Sequence, residues 1–253
     1  MHPILFQWGS LKVYSYGFFV ALGILAATIF LAKKVERQGR SAQFVIDLVV
    51  LAVFAGVIGA RLAYVFLYDP GYYLSHPLRI LMINQGGLAF YGALVFGLLA
   101  CGLYMRRNSK KIGISLLSLF DLAAPAVALG YAIARIGCFL NGCCYGVPTD
   151  LPWGVVFPAV DGLRRHPTQL YSMLSGLLIF LILESLQPRM RFRGQSFSLF
   201  LILYGLSRCL IEQFRENTTV WGGWSASLAA LILALAGGLL YFCFSRQQAR
   251  KRL

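Results

Sequence analysis

Three arginines, Arg61, Arg135 and Arg208, lie within or at the ends of long apolar stretches of the chain. If such a stretch is inserted in a lipid bilayer, an unpaired charge costs about 2.5 to 3.5 kcal/mol. Snorkelling to the interface or a structural ion pair would explain any one of them. Three together favour a shared site, because arginine stays charged and directs two donors at once onto phosphate oxygens. These residues therefore predict a phosphate-binding site.

The segment around Arg135 is the most distinctive in the chain and reads ARIGCFLNGCCYG over residues 134–146. Asn141, Gly142 and Gly146 allow tight turns and a close approach of the backbone to an anionic group. We therefore expect this backbone to contribute to the same site as Arg135.

Three cysteines in this segment, Cys138, Cys143 and Cys144, raise the alternative of a metal centre. Cys143 and Cys144 are adjacent and poorly spaced for chelation, and the chain has no CxxC motif. The nearest downstream histidine, His166, has no partner at ligand spacing. A disulfide to Cys138, or packing as small apolar side chains, is favoured. Neither a metal nor any other cofactor is expected.

Further polar residues fall near the same ends of the apolar stretches. Four of them recur at i, i+4, i+8 and i+11 and so share one helix face: Tyr204, Arg208, Glu212 and Arg215. Glu212 can pair with either arginine, and we interpret it as an orienting residue and not as a base. The other candidates at this level are Tyr16, Gln85, Tyr91, His166, Gln169 and Tyr171.

Composition identifies the environment of these residues. The chain has 253 residues, of which 58% are hydrophobic and 13% are charged, which is too apolar for a soluble domain of this length. The net charge of +14 raises nucleic acid as a partner, but that requires one basic face or stripe. The basic residues instead form short clusters between apolar stretches, as in membrane proteins. Nucleic-acid binding is therefore not expected.

Seven stretches approach the ~20 apolar residues that cross a bilayer core. They are Val13 to Ala32, Phe44 to Tyr68, Gly86 to Met105, Ile112 to Phe139, Leu170 to Leu186, Ser196 to Ile211 and Val220 to Phe244. The N-terminal segment has no basic region before its apolar stretch, so it is not expected to be a cleaved signal peptide. The chain shows no internal repeat and no low-complexity linker. We predict an all-α polytopic membrane protein with about seven transmembrane helices and one domain over residues 1–253.

The connecting segments predict the orientation. Fifteen of the 23 basic residues fall in four segments that alternate along the chain, at 33–40, 106–111, 189–193 and 246–252. The opposite segments hold five, namely Lys12, Arg79, Arg164, Arg165 and Arg215. Since cytoplasmic segments are enriched in lysine and arginine, the N-terminus is predicted outside and the C-terminus in the cytoplasm.

This orientation also gives a depth for the three arginines. Each lies on a stretch that runs from inside to outside, and a rise of ~1.5 Å per residue puts each roughly 20 to 33 Å above its cytoplasmic start. They can therefore share a site in the outer part of the membrane. An outer-leaflet phospholipid headgroup is the natural phosphate ligand there, so membrane lipid is the expected partner.

Six segments, in order along the chain, resemble the phosphatidylglycerol–prolipoprotein diacylglyceryl transferases of the bacterial cytoplasmic (inner) membrane. They are Tyr16-Gly17, GARLAYVFLY around Arg61, GGLAFYGAL from Gly86, RIGCFLNGCCYG from Arg135, HPTQLY from His166 and YGLSRCLIEQFR from Tyr204. The resemblance implies transfer of the diacylglyceryl group of phosphatidylglycerol to the lipobox cysteine of a prolipoprotein signal peptide. A thioether would form and glycerol phosphate would leave, at a site facing the outer leaflet.

The resemblance also assigns expected roles to residues. Arg135 matches the family's essential headgroup arginine and Arg208 its second essential arginine. The positions that match its binding residues are Tyr16, Asn141, Gly142, Gly146 and Tyr204. We add Arg61 to the phospholipid-binding set and Tyr91 to the catalytic set, with Glu212, His166 and Gln169 as supporting residues.

The chain departs from the family pattern at several positions. Tyr91 stands where well-known members have a histidine, and a tyrosine with a pKa of ~10 is a poor base at neutral pH unless arginines depress it. Cys138 and Cys143 replace an asparagine and a glutamate, and Ser172 replaces a glutamate. The base is therefore unassigned. A transferase of the same fold with another donor or acceptor, and a lipid transporter, remain as alternatives.

Overall fold

The computed structural model describes residues 1–9, 11–68, 70–82, 86–215, 219–220 and 224–250. Within them, five helices are long and apolar enough to cross a membrane, which confirms an all-α polytopic membrane protein. Eight α-helices are described: α1 Ser15–Glu36, α2 Gln43–Tyr68, α3 Pro70–Ser75, α4 Phe90–Ile112, α5 Leu116–Asn141, α6 Thr168–Leu186, α7 Gln195–Glu212 and α8 Ala226–Arg250. Short 3-10 helices cover Pro77–Leu81 and Gln187–Arg189.

Each predicted apolar stretch falls largely on one long helix, but several predicted ends were wrong. Residues 11–14 form a strand, because Leu11–Tyr14 (β2) pairs antiparallel with Ile4–Trp8 (β1). The Ser15 amide donates to the Pro3 carbonyl at 2.9 Å where α1 begins. Helix α4 continues through its basic end to Ile112, seven residues beyond Met105. Val220 belongs to a hairpin, so α8 begins at Ala226.

Three short antiparallel hairpins accompany the helices in the described part of the chain. Besides β1–β2, they are Val155–Val156 (β3) with Arg164–Arg165 (β4), and Thr219–Val220 (β5) with Trp224–Ser225 (β6). The β3–β4 pair lies in the long connection between α5 and α6.

The helices form two compact units, residues 32–116 and residues 1–31 with 117–253. In the first unit, α2 and α4 pack closely through glycine. A Cβ on Gly92 would lie 2.2 Å from the Gly59 carbonyl oxygen, so only glycine fits there. Small residues at such crossings let helix backbones approach in membranes. That the whole chain is one domain remains a prediction.

In the second unit, α5 lies against α1, α6 and α7. A Cβ on Gly23 would lie 2.6 Å from the Gly130 carbonyl oxygen, which records the close approach of α1 and α5. Ala124 and Ala128 of α5 pack with Ile179 and Leu183 of α6 in a buried cluster that residues of α7, including Tyr204, extend. This packing places α5 and α7 side by side.

The N-terminal end of α7 explains why Asp121 is found within an apolar stretch. Asp121 of α5 accepts hydrogen bonds from the amides of Gly194 and Phe197 at 2.5 and 3.0 Å. These amides lie at the N-terminus of α7, where backbone donors have no partner within the helix and the helix dipole favours an anion. Asp121 therefore fixes the start of the helix that carries Arg208.

Candidate functional site

Arg135 lies on the last two turns of α5, half-buried, with its guanidinium carbon 4.7 Å from the centre of the Tyr131 ring. Cation–π contact of this kind orients a guanidinium without using its N–H donors. Among the described residues, neither an acidic side chain nor a hydrogen-bond acceptor pairs with Arg135. Its charge and donors are therefore available to an anion.

A second basic cluster ends α7. Glu212 Oε2 lies 2.7 Å from Nη2 of Arg208 and 3.7 Å from Nη1 of Arg215. The predicted helix face is thus formed, and Glu212 contacts both arginines. Within the described part of the chain, Arg208 Nη1, Arg215 Nε and Glu212 Oε1 are buried without a hydrogen-bond partner. Buried donors without partners are costly, so the free donors of Arg208 and Arg215 are suited to bind oxygen atoms of a ligand.

Two tyrosines connect the basic groups. The rings of Tyr131 and Tyr204 lie 5.3 Å apart, edge to face. Tyr204 is within electrostatic range of both Arg135 and Arg208. The structure therefore brings together Arg135, Tyr204, Arg208 and Glu212. Arg215 brings the arginines to three, and against the one carboxylate they leave two positive charges in excess.

The segment after Arg135 folds into a tight turn that its sequence requires. Asn141 ends α5, and Gly142 and Cys144 have φ of +73° and +62°, in the left-handed region that residues other than glycine rarely adopt. The turn is held from α6, because Thr168 Oγ1 and Gln169 Nε2 donate to the Cys144 and Cys143 carbonyls, both at 2.6 Å. Gln169 thus supports this turn.

Position 146 has room for glycine only, because neighbouring atoms fill the space that a side chain would occupy. A Cβ there would lie 2.3 Å from the Phe214 carbonyl oxygen and 2.7 Å from His166 Cβ. Its amide donates to the His166 carbonyl at 2.9 Å. Gly146 therefore packs two backbone segments together behind the turn, and its phospholipid-binding role remains a prediction.

His166 is buried beside this crossing, and its Nδ1 lies 3.0 Å from the Tyr171 hydroxyl. Trp153 Nε1 donates to that hydroxyl at 2.8 Å. His166 thus has a partner of its own, which fits a supporting role.

The connection before His166 is fixed by an ion pair. Arg165 Nη2 lies 2.6 Å from Asp161, and hydrogen bonds from Arg165 lower the pKa of that carboxyl. Arg165 Nη1 also donates to the Gly146 carbonyl at 3.2 Å.

Tyr16 reaches the same region from the first turn of α1. A Cβ on Gly137 would lie 3.2 Å from Tyr16 Cα, so this turn lies directly against α5. The Tyr16 hydroxyl is within electrostatic range of Arg135 and of the three cysteines of the turn. Tyr16 is 49% exposed, which leaves it accessible to a ligand.

Arg61 and Tyr91 lie in the other unit. The Arg61 guanidinium donates to five backbone carbonyls at 2.5 to 3.4 Å, those of Arg79, Ile80, Met82, Gly86 and Gly87. Since guanidinium has five N–H donors, this arrangement fits a structural role, and phospholipid binding by Arg61 stays a prediction. Tyr91, on the first turn of α4, is 54% exposed. Gln85 lies outside the described residues.

Sequence reasoning missed two contributors. Tyr131 was not singled out, although it precedes Arg135 by four residues, the spacing at which helix side chains meet. Thr168, which anchors the turn, gave no such signal because its partner is a backbone carbonyl distant in sequence.

The fold and the site together define a polytopic helical membrane protein with a cationic centre. The model of the prolipoprotein diacylglyceryl transferase family matches residues 3–243. The chain belongs to this family, which confirms the resemblance seen in the six sequence segments.

Curated relatives with this activity in their names are similar to most of the chain. A phosphatidylglycerol–prolipoprotein diacylglyceryl transferase of Geobacter sulfurreducens is 40% identical over 217 residues, 85% of this chain and 82% of the relative. The enzyme of the same name from Clostridium tetani is 37% identical over 86% of each chain. That from Bordetella avium is 35% identical over 99% of this chain and 97% of the relative.

Proposed function

We propose that this protein transfers the diacylglyceryl group of phosphatidylglycerol to the lipobox cysteine of a prolipoprotein, the reaction of lipoprotein maturation. The names of the relatives supply both substrates, phosphatidylglycerol and a prolipoprotein. The observation that carries the proposal for this chain is the Arg135 guanidinium, held on the Tyr131 ring with its donors available beside the Arg208 cluster.

The reaction makes two physical demands. The acceptor thiol must lose its proton, because thiolate is the nucleophile. Its sulfur then bonds to the glyceryl carbon that carries the phosphate, the C–O bond breaks, and the electron pair leaves on the phosphate oxygen. Glycerol phosphate thus departs with one more negative charge than the phosphate had in the lipid.

Arg135 and Arg208 meet the second demand. A preorganised guanidinium stabilises charge as it grows on a leaving group, and a water-poor site strengthens that interaction. Tyr204 lies within range of both arginines and positions the headgroup between them. The proposed phospholipid-binding set further includes Tyr16, Asn141, Gly142, Gly146 and Arg61. Glu212 holds Arg208 and Arg215 in place through its ion pairs with both.

The test of the donor uses purified protein in vesicles whose only phosphoglycerol lipid is phosphatidylglycerol. Release of glycerol phosphate should require both that lipid and a peptide with a lipobox cysteine. Release without the peptide would indicate a phospholipase, and movement of intact lipid between leaflets without release would indicate a transporter.

We further propose seven membrane spans, α1, α2, α4, α5, α6, α7 and α8, in a bacterial cytoplasmic membrane. The cationic site would face the outer leaflet, where lipobox cysteines emerge after export. The segregation of basic residues supports this orientation.

Reporter fusions test the orientation. A reporter active only outside the cell is expected to be active after Lys12 and near Asp161, and silent after Arg107 and Lys251. The reason is the basic cluster in each segment on the silent side. An active external reporter at Arg107 would contradict the orientation.

Tyr91 tests how the thiol is activated. If Tyr91 positions substrate, Tyr91→Phe should keep measurable activity, because it removes one hydroxyl and leaves the ring. If Tyr91 is the base, Tyr91→Phe should abolish turnover, and Tyr91→His should restore it with a pH profile shifted toward ~6.5. We expect the first result. Rates of both variants between about pH 6 and 9 separate the two roles, and loss in the first with rescue in the second would contradict a positioning role.

A further inference from the structure

The turn after Arg135 gathers three thiols. The sulfur atoms of Cys138, Cys143 and Cys144 all lie within 4.8 Å of one another. Cys138 is buried, and the other two are half-buried. A zinc ion with Zn–S bonds of ~2.3 Å places its sulfur ligands roughly 3.8 Å apart in a tetrahedral site. The three sulfurs therefore lie at most about 1 Å farther apart than such an ion needs.

The backbone explains how adjacent cysteines converge. Spacing along the chain argued against chelation, but that reason was wrong, because Cys144 has φ of +62°. This left-handed φ sets the direction of the Cys144 Cβ relative to Cys143, and the sulfurs of both lie near that of Cys138. The Cys143 amide donates to the Cys138 carbonyl at 3.2 Å, and Gln169 and Thr168 hold the carbonyls of the turn. The cluster is thus fixed from both α5 and α6.

The surrounding charge fits thiolate ligands. Cys144 is within electrostatic range of Arg215 and Arg135. Three thiolates and one divalent cation have a net charge of −1, which these arginines offset. The ligand set, three sulfurs with no oxygen, selects thiophilic ions such as zinc over magnesium or calcium.

We propose that Cys138, Cys143 and Cys144 bind a thiophilic metal ion, and that its fourth ligand is the cysteine thiol of the acceptor. The assignment of the acceptor thiol as fourth ligand rests on the proposed transferase function. Three protein ligands with one open position are the arrangement of catalytic zinc sites.

The metal ion would supply a means of activating the acceptor thiol that does not depend on a histidine at position 91. On binding the metal, the acceptor thiol loses its proton to water, because metal coordination favours the thiolate. The sulfur then forms its bond to the glyceryl carbon, and the phosphate oxygen takes the electron pair of the broken C–O bond. No oxidant or reductant is consumed.

Metal content tests the site. Full-length protein, reduced, incubated with zinc chloride and desalted in detergent, should retain about one zinc per chain. Cys143→Ser and Cys144→Ser should each lower that content at least several-fold. The exposed Cys243 of α8 offers a matched control, and Cys243→Ser should leave it unchanged. No retained zinc in reduced protein, or equal retention in all variants, would overturn the site.

Cobalt tests the open position. Cobalt(II) in place of zinc should give intense thiolate-to-cobalt absorption, and a lipobox peptide should change it whereas its Cys→Ser counterpart should not. An identical response to both peptides would overturn the role in acceptor binding, as would full turnover by metal-free protein. Zinc retention and a peptide response without lipid transfer would instead refute the transferase function and leave the site standing.

Discussion

Replacing Arg135 by lysine should lower the rate of diacylglyceryl transfer by about 100-fold or more, while the protein still inserts and accumulates. Removal of one preorganised donor to a developing negative charge costs this much in other enzymes. Lysine keeps the charge but loses the planar pair of donors that matches two phosphate oxygens. It also loses the guanidinium contact over the Tyr131 ring that orients the side chain.

The comparison should use rates at saturating phosphatidylglycerol, with the amount of membrane-inserted protein measured in parallel. Arg193→Lys is the matched control, because Arg193 is exposed between α6 and α7 and takes no part in the site. It should leave the rate unchanged. Near-normal turnover of Arg135→Lys would remove Arg135 from the chemistry and leave it as an interfacial anchor.

Replacing Glu212 by glutamine should destabilise the protein by about 3 to 5 kcal/mol, the usual cost of removing one partner from a buried ion pair. The Glu212 side chain is 4% exposed, and those of Arg208 and Arg215 are 15% and 12% exposed. Without the carboxylate, two guanidinium groups would face each other in a water-poor site. Activity should fall as well, because Arg208 would lose the partner that fixes its position.

Thermal unfolding in detergent measures this effect. Glu36→Gln, at the exposed end of α1, should leave the midpoint within about a degree of the unaltered protein, since isolated surface charges contribute little. Adding Arg215→Gln to Glu212→Gln should recover part of the lost stability by removing the repulsion. An unchanged midpoint for Glu212→Gln alone would show that the two arginines do not depend on this carboxylate.

Much of the fold follows from the lipid bilayer that the apolar sequence implies as its surroundings. Long apolar stretches in lipid must satisfy their backbone groups internally, so they form helices, and each predicted stretch falls largely on one. The ends were less predictable. Tyr14 and Val220 are apolar enough to extend their helices, but each is paired with a neighbouring strand instead. Helix α4 likewise continues through basic residues past the apolar stretch, because the backbone hydrogen bonds of a helix do not require apolar side chains.

The site was predictable where it depends on helix periodicity. Arg208 and Glu212 were placed together by their spacing of four residues, and Tyr131 could have been found from Arg135 by the same rule. Contacts between backbone segments distant in sequence carry no such signal. The sulfur cluster depends on the φ of Cys144, and the packing of Gly146 depends on the carbonyl of Phe214. The donors of Arg61 are likewise taken up by carbonyls that only the fold brings near.

The central claim is tested most directly by the mass of a lipobox peptide after incubation with the purified protein in phosphatidylglycerol vesicles. We predict that the peptide gains the mass of one diacylglyceryl group as a thioether on its cysteine. The same peptide with serine in place of cysteine should remain unmodified. An unmodified cysteine peptide, with protein shown to be folded and inserted, would contradict the account.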